Sequence, residues 1–99
     1  MIRHVAMFKW NDDELPSHAV ATGTALEGLT EVITSIVAFR HGPDLGVSPG
    51  TFDYSVTADF HDVEGYLAYR DHPAHQAFLT GFIVGHVAQR VAVQFEWHA

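Results

Sequence analysis

The sequence has no cysteine, and this absence removes several classes of site. Without cysteine the chain has no disulfide, no thiolate nucleophile and no cysteine metal centre. An intracellular, cytoplasmic protein is the natural expectation for such a chain. We also expect one domain over residues 1–99, which at this length buries only about two thirds of its unfolded surface and needs further stabilisation.

Basic residues and long apolar runs are also scarce. Five lysines and arginines stand against twelve aspartates and glutamates, giving a formal net charge of −7. Such a charge repels phosphate backbones and leaves no basic stripe to bind them. No segment reaches the roughly 18 apolar residues of a membrane span, and the first ten residues contain no signal-peptide core. We therefore expect neither a nucleic-acid nor a membrane partner.

What the sequence does have is enough apolar and aromatic residues, 47% and 12%, to form a core. Alternating or β-branched segments bounded by turn residues predict strands. Four such strands are expected, at residues 2–10, 32–41, 52–60 and 91–97. The third alternates most cleanly, and a loop rich in glycine and proline joins it to the second.

Two helical regions are expected between these strands. Pro16 is placed to begin the first, which should end near Gly28 because glycine and threonine lower its propensity. The second has a piece at residues 63–70 capped by Asp62, and a further piece whose apolar residues recur at helical spacing up to His86. The order strand, helix, strand, strand, helix, strand predicts an α+β, ferredoxin-like βαββαβ fold.

In this fold both helical regions cover one face of a four-stranded antiparallel sheet. The other face would expose apolar side chains, and covering them at ~25 cal/mol per Å² would stabilise a small domain. We therefore expect a homodimer that forms through the sheet faces. The side chains expected on that face are Val5, Met7, Val91, Val93 and Phe95.

The stretch from Tyr69 to His75 concentrates a phenol, a carboxylate and two imidazoles in seven residues. Pro73 suits the first position of a helix, so Asp71 or His72 is expected to cap it. His75 then lies in the first helical turn. The partial positive charge of a helix start disfavours imidazolium, so a neutral His75 is expected near pH 7.

Three features together resemble the stress-responsive A/B barrel family of dimeric α+β barrels. They are His4 in the first strand, the segment Phe60-His-Asp-Val-Glu-Gly-Tyr-Leu-Ala-Tyr69, and the motif His72-Pro-Ala-His75. The likeness covers nearly the whole chain and is greatest to plant polyketide cyclases within the family. It implies a homodimer whose sheets form a shared barrel, with a pocket between sheet and helices in each subunit.

The resemblance also assigns site residues. In the cyclases a tyrosine before the motif and the second histidine within it carry the chemistry, and these positions are Tyr69 and His75 here. An aspartate near the end of the last strand orients that histidine, and Glu96 stands at its position. His4 matches a pocket histidine, whereas Tyr54 replaces another one on the third strand.

These residue types form an acid–base site that needs no cofactor. His75 could abstract a proton alpha to a carbonyl, Glu96 could hold its tautomer, and Tyr69 could hydrogen-bond the developing enolate. On a poly-β-keto thioester this step starts an intramolecular aldol closure, and it would equally serve a lyase or an isomerase on a small molecule. The expected substrate-binding residues are His4, Tyr54, His72, Phe78 and Phe82.

Each assignment has a structural alternative. His75 could bond only to nearby backbone, His4 is either a satisfied core residue or a pocket wall, and Glu96 could be solvated with Phe95 on the pocket side instead. The protein would then be a non-catalytic dimeric binding or stress-response protein. Haem- or flavin-linked oxygen chemistry is a third alternative. No metal is expected, because Pro73 separates the two motif histidines and no carboxylate has a recognisable ligand spacing.

Overall fold

The computed structural model describes residues 1–98, which form four strands, three α-helices and one π-helical turn. The elements are β1 (Ile2–Trp10), α1 (Pro16–Val32), β2 (Ala38–Pro43), β3 (Tyr54–Phe60), α2 (Val63–Asp71), α3 (Pro73–Phe78), the π-helical turn (Leu79–Ile83) and β4 (Val87–Glu96). All strand pairs are antiparallel, in the order β2-β3-β1-β4. This is the predicted ferredoxin-like α+β arrangement. Within residues 1–98, no helix combines the length and the apolar character needed to cross a bilayer.

The helices cover one face of the sheet, and the core lies between them. On β1 this face carries Ala6 and Phe8, which are buried and lie opposite Val56 and Tyr54 of β3. Leu26 of α1 is fully buried in the same cluster. The alternation of side chains along β1 and β3 therefore predicted correctly which of them face the helices.

The other face of the sheet carries an uncovered apolar strip along β1 and β4. The register sets Val5 opposite Val93 and Met7 opposite Val91, so these side chains are neighbours on one face. Met7, Val91, Val93 and Phe95 are between 39% and 55% exposed. This is the strip that the sequence predicted.

The first helix runs past its predicted end, and the strand predicted over residues 32–41 begins only at Ala38. The reason is that apolar residues continue at helical spacing, with Leu26 and Leu29 buried and Ile33 following them. The Ile33 amide donates to the Leu29 carbonyl at 2.9 Å and closes the last turn. Burial of this helical stripe outweighs the β-propensity of the segment.

The last strand begins at Val87, earlier than predicted, and His86 does not belong to a helical face. Gly85 has a φ of +84°, a left-handed conformation that glycine adopts without strain, and it separates the π-helical turn from β4. Val87 then pairs with Trp10 across an irregularity in the ladder. The chain reversal at Gly85 therefore lets residues 87–90 join the strand at the edge of the sheet.

Candidate functional site

The break between α2 and α3 is built by His72 and Pro73. The His72 Nδ1 accepts a hydrogen bond from the Ala74 amide at 3.0 Å, and Pro73 occupies the first turn of α3. His72 is therefore the capping residue. Because the chain turns here, Tyr69 at the end of α2 and His75 at the start of α3 are brought together.

A cavity of about 190 Å³ lies between the sheet and the helices at this break. Apolar side chains of β1, β3 and α1 form its floor together with His4 of β1, and α2, α3 and β4 supply its other polar groups. Its polar lining residues are His4, Tyr66, Tyr69, Arg70, His75, Gln76 and Arg90. Phe78 contributes an apolar wall. The cavity thus has the mixed character of a small-molecule site.

His75 is held in one tautomer by the backbone. Its Nδ1 lies 3.0 Å from the Arg70 carbonyl oxygen. A carbonyl can only accept, so Nδ1–H donates and the lone pair of the neutral ring is on Nε2. Within residues 1–98, Nε2 has no hydrogen-bond partner. The ring therefore lines the cavity with a free basic nitrogen.

Burial determines the protonation states of His75 and of its neighbour Tyr69. It lowers the pKa of His75 from the ordinary value of 6.5, against the opposing effect of the Arg70 carbonyl bond. The direction agrees with the sequence-based expectation, but the main cause is burial rather than the helix start. Burial also raises the pKa of Tyr69, whose ring centroid lies 4.2 Å from that of His75. At neutral pH the pair is thus a neutral imidazole and a neutral phenol.

His4 supplies a second neutral imidazole at the cavity floor. Burial, followed by the charges of His75 and Arg90, lowers the pKa of His4 to about 4. Gln94 Nε2 donates to His4 Nδ1 at 2.8 Å, which places the ring proton on His4 Nε2. The ring lies with its centroid 5.9 Å from that of Tyr69. Both residues can therefore donate to an oxygen bound between them.

The charge of the cavity is opposite to that of the whole chain. Arg70 and Arg90 line it, and no aspartate or glutamate does so within the described chain. Arg70 already pairs with Asp71 at 2.9 Å. Arg90 forms no ion pair with any residue in 1–98, and its charge helps to lower the pKa of His4 and His75. The cavity therefore favours an anion or a developing negative charge.

The expectation that Glu96 orients His75 needs correction. Glu96 lies opposite Ile2 at the end of β4 and is exposed, and its Oε1 lies 3.6 Å from His98 Nε2. The resemblance put Glu96 on the same face of the strand as Gln94, but the position beside His4 belongs to Gln94. The Arg70 carbonyl performs the orienting role that was expected of the carboxylate.

Three expected substrate-binding residues lie outside the cavity lining. His72 is occupied as the helix cap. Phe82 packs behind Phe78, with ring centroids 5.7 Å apart. Tyr54 pairs with Phe8 at the far end of β3, where its hydroxyl lies 2.8 Å from His41 Nδ1. The register gives Val56 the place on β3 that faces the cavity.

Sequence reasoning missed the contributions of β4 and a second polar cluster. Arg90 and Gln94 alternate with the valines of the exposed strip, so the period of two could have placed both on the helix side. Glu14, His18 and His86 meet outside the cavity. The spacing of four between Glu14 and His18 was a readable signal, whereas His86 reaches them only through the fold.

A scan against protein families matches residues 2–97 to the Stress responsive A/B Barrel Domain. A dimeric ferredoxin-like protein of unknown function from Thermobifida fusca is 42% identical, with a TM-score of 0.90 over 97% of this chain and 90% of that chain. A Dabb family protein from Mesorhizobium loti is 20% identical, with a TM-score of 0.80 over 99% and 97% of the two chains.

The fold is also similar to that of an enzyme. A hydroxynitrile lyase from Passiflora edulis is 16% identical, with a TM-score of 0.82 over 95% of this chain and 90% of that chain. At this identity the likeness concerns the fold alone. No curated protein sequence matches the chain at a significant level.

Proposed function

This chain belongs to the stress-responsive A/B barrel family, and on that premise we propose that it is a cofactor-independent acid–base enzyme. Its reaction begins when His75 removes a proton alpha to a carbonyl group of a small metabolite. The observation that carries the proposal is the Nδ1–H bond from His75 to the Arg70 carbonyl, because it leaves Nε2 as the base inside the cavity. The fold by itself would not support this assignment.

The pKa of His75 fits this step. A buried imidazole with a lowered pKa is unprotonated at neutral pH, so the base is present without prior loss of a proton. The Arg70 carbonyl stabilises the ring when Nε2 accepts the substrate proton, because the Nδ1–H bond strengthens on the cation. His75 thus has both a free lone pair and a partner for the charge that it acquires.

The enolate oxygen would be bound by Tyr69 and His4. The phenol of Tyr69 keeps its proton because burial raises its pKa, and His4 Nε2 carries a proton because Gln94 donates to Nδ1. Two neutral donors in a water-poor site stabilise an oxyanion more than they stabilise a neutral carbonyl. Arg90 adds a positive charge at the β4 side of the cavity.

The size of the cavity limits the substrate. A cavity of about 150 Å³ accommodates benzene, and this one measures about 190 Å³. A substrate that forms a single substituted ring fits these dimensions, whereas a long alkyl tail would have to extend outside. We therefore favour intramolecular aldol closure of a short poly-β-keto chain. Lyase chemistry on a small carbonyl compound would use the same base and donors.

The functional unit in this proposal is a homodimer. The uncovered strip on β1 and β4 is apolar, and a second copy of the chain would cover it face to face. The relative from Thermobifida fusca, at 42% identity, is described as dimeric. Covering the strip would place both sheets inside a shared barrel and leave each cavity on the outer, helix-covered side.

The proposal is tested with short poly-β-keto thioesters in D₂O. NMR would follow exchange of the alpha protons, and mass spectrometry would detect cyclised products. We expect His75→Gln to slow exchange by about 10²–10⁴-fold and Tyr69→Phe to slow turnover by about 10²-fold or more. His61→Gln is the matched control, because His61 is exposed and lies outside the cavity lining.

Thermal unfolding of each variant separates a lost base from a lost fold. The proposal requires that His75→Gln and Tyr69→Phe remain folded while turnover falls. If both variants turned over the thioesters as fast as the parent chain, His75 and Tyr69 would not be the catalytic pair.

A further inference from the structure

Three side chains with metal-binding atoms meet beside Trp10, outside the cavity. Glu14 lies in the turn before α1, His18 lies in the first turn of α1, and His86 directly precedes β4. One ligand atom from each lies within 4.8 Å of the others. The side chains are partly buried, with 17%, 12% and 34% of their surface exposed. A carboxylate and two imidazoles are thus within reach of a single ion.

The orientation of His18 leaves one of its ring nitrogens facing a carboxylate oxygen. Its Nε2 lies 2.9 Å from the Phe82 carbonyl, which can only accept, so Nε2–H donates to it. The Nδ1 of the neutral ring then presents a lone pair to Glu14 Oε2 at 3.9 Å. Two acceptors at this distance form no hydrogen bond. A cation between them would turn their repulsion into attraction.

The contact between His86 and Glu14 supplies the third ligand. His86 Nδ1 lies 2.6 Å from Glu14 Oε1, where its proton forms a short hydrogen bond. An ion would replace this proton, and His86 would then carry its proton on Nε2. The rings of His18 and His86 lie with centroids 4.3 Å apart. Metal–ligand distances of roughly 2 Å require small rotations of Glu14 and of His86, the most exposed of the three side chains.

We propose that Glu14, His18 and His86 bind one divalent transition-metal ion of the zinc type per chain. Two imidazoles and one carboxylate suit such ions, whereas Mg²⁺ and Ca²⁺ prefer oxygen ligands. The Phe82 carbonyl is the outer partner that fixes the orientation of a ligating histidine. Bound there, the ion ties the turn before α1 to the start of β4. This site is independent of the proposed acid–base reaction.

The test is a titration of the untagged, EDTA-treated chain with Zn²⁺ and Co²⁺. Calorimetry gives stoichiometry and affinity, and the visible spectrum of Co²⁺ reports its coordination by nitrogen and oxygen. We expect one ion per chain and a higher unfolding temperature when it is bound. Affinity should fall more than about tenfold in Glu14→Gln and in His86→Ala, and should weaken as pH falls.

His61→Ala and His98→Ala are the matched controls, because both histidines are exposed and lie outside the cluster. Circular dichroism would show that each variant is folded before it is titrated. Retention of binding in the controls, with loss in the cluster variants, would support the site. The proposal is overturned if the parent chain binds neither ion, if the cluster variants bind as tightly as the parent, or if a control variant abolishes binding.

Discussion

The rings of Tyr69 and His75 lie with their centroids 4.2 Å apart and their planes at 36°, across the break between α2 and α3. Five residues lie between these positions in the chain, and the His72 cap with Pro73 brings them together. Both rings are buried and both line the cavity. Local helix chemistry therefore sets the geometry of the proposed catalytic pair.

Stability should depend on pH through His4. Its folded-state pKa of about 4 lies below the ordinary 6.5, so between these values the unfolded chain binds more protons than the folded chain. The free energy of unfolding should therefore be fully developed above pH 6.5 and fall toward pH 4, by about 3 kcal/mol from His4 alone. Urea unfolding across this range measures the slope. His4→Gln should flatten it and His98→Gln should not; equal slopes in all three proteins would refute the assignment.

Removing the charge of Arg90 should raise the pKa of His75 and of His4. The guanidinium lowers both pKa values, because it lies near enough to disfavour each imidazolium. Histidine titration by NMR in Arg90→Gln measures the change without any substrate. Arg40→Gln is the control, since Arg40 is exposed on β2 and absent from the cavity lining. Unchanged titration in Arg90→Gln would remove Arg90 from the proposed site.

Charging the uncovered strip should prevent dimer formation. Val93 is 55% exposed opposite Val5, so Val93→Glu would place a carboxylate in the centre of the proposed apolar interface. We expect sedimentation velocity to show a dimer for the parent chain and a monomer for the variant. Val20→Glu is the control, because Val20 is 72% exposed on α1 and far from the strip. A monomeric parent, or a dimeric Val93→Glu, would contradict the interface.

Two glycines of α1 should respond in opposite ways to alanine. A methyl group at Gly28 meets nothing within 4 Å, so Gly28→Ala should raise the free energy of unfolding by roughly 0.5–1 kcal/mol. At Gly23 the added carbon would lie 3.0 Å from the Tyr54 hydroxyl, which is buried and bonded to His41. Gly23→Ala should therefore lower that free energy, as chemical denaturation would measure. If both variants gained the same free energy of unfolding, the Tyr54 hydroxyl would be able to move away from the added methyl group.

Local patterns in the sequence predicted much of the fold. The alternation of β1 and β3, the Asp62 cap and the Pro73 helix start are confirmed, because each depends on neighbours in the chain. The prediction of strand at residue 32 was wrong, because Ile33 continues the buried stripe of α1 instead. Burial of Ile33 against the sheet determined that this segment is helical. Such burial depends on the tertiary fold and cannot be predicted from local propensity.

The part of the candidate site formed by the motif at residues 69–75 could be predicted from the sequence. The part formed by neighbouring strands of the sheet could be predicted less well. Tyr69 and His75 lie together as expected, whereas the strand register determines that Gln94, not Glu96, stands beside His4. A register error of two residues keeps the face and changes the neighbour. A backbone partner for His75 was among the alternatives, but its identity, the Arg70 carbonyl, depends on how the chain turns at His72 and Pro73.

The most direct test of the account is the tautomer and pKa of His75 by ¹⁵N NMR of the imidazole nitrogens. We predict a neutral ring at pH 7 with its proton on Nδ1, a pKa below 6.5, and a shift of the Nε2 signal when a short β-keto ligand enters the cavity. The claim that His75 is the base would be contradicted by a ring that is charged at pH 7 or that carries its proton on Nε2. It would also be contradicted if the Nε2 signal did not shift with any ligand.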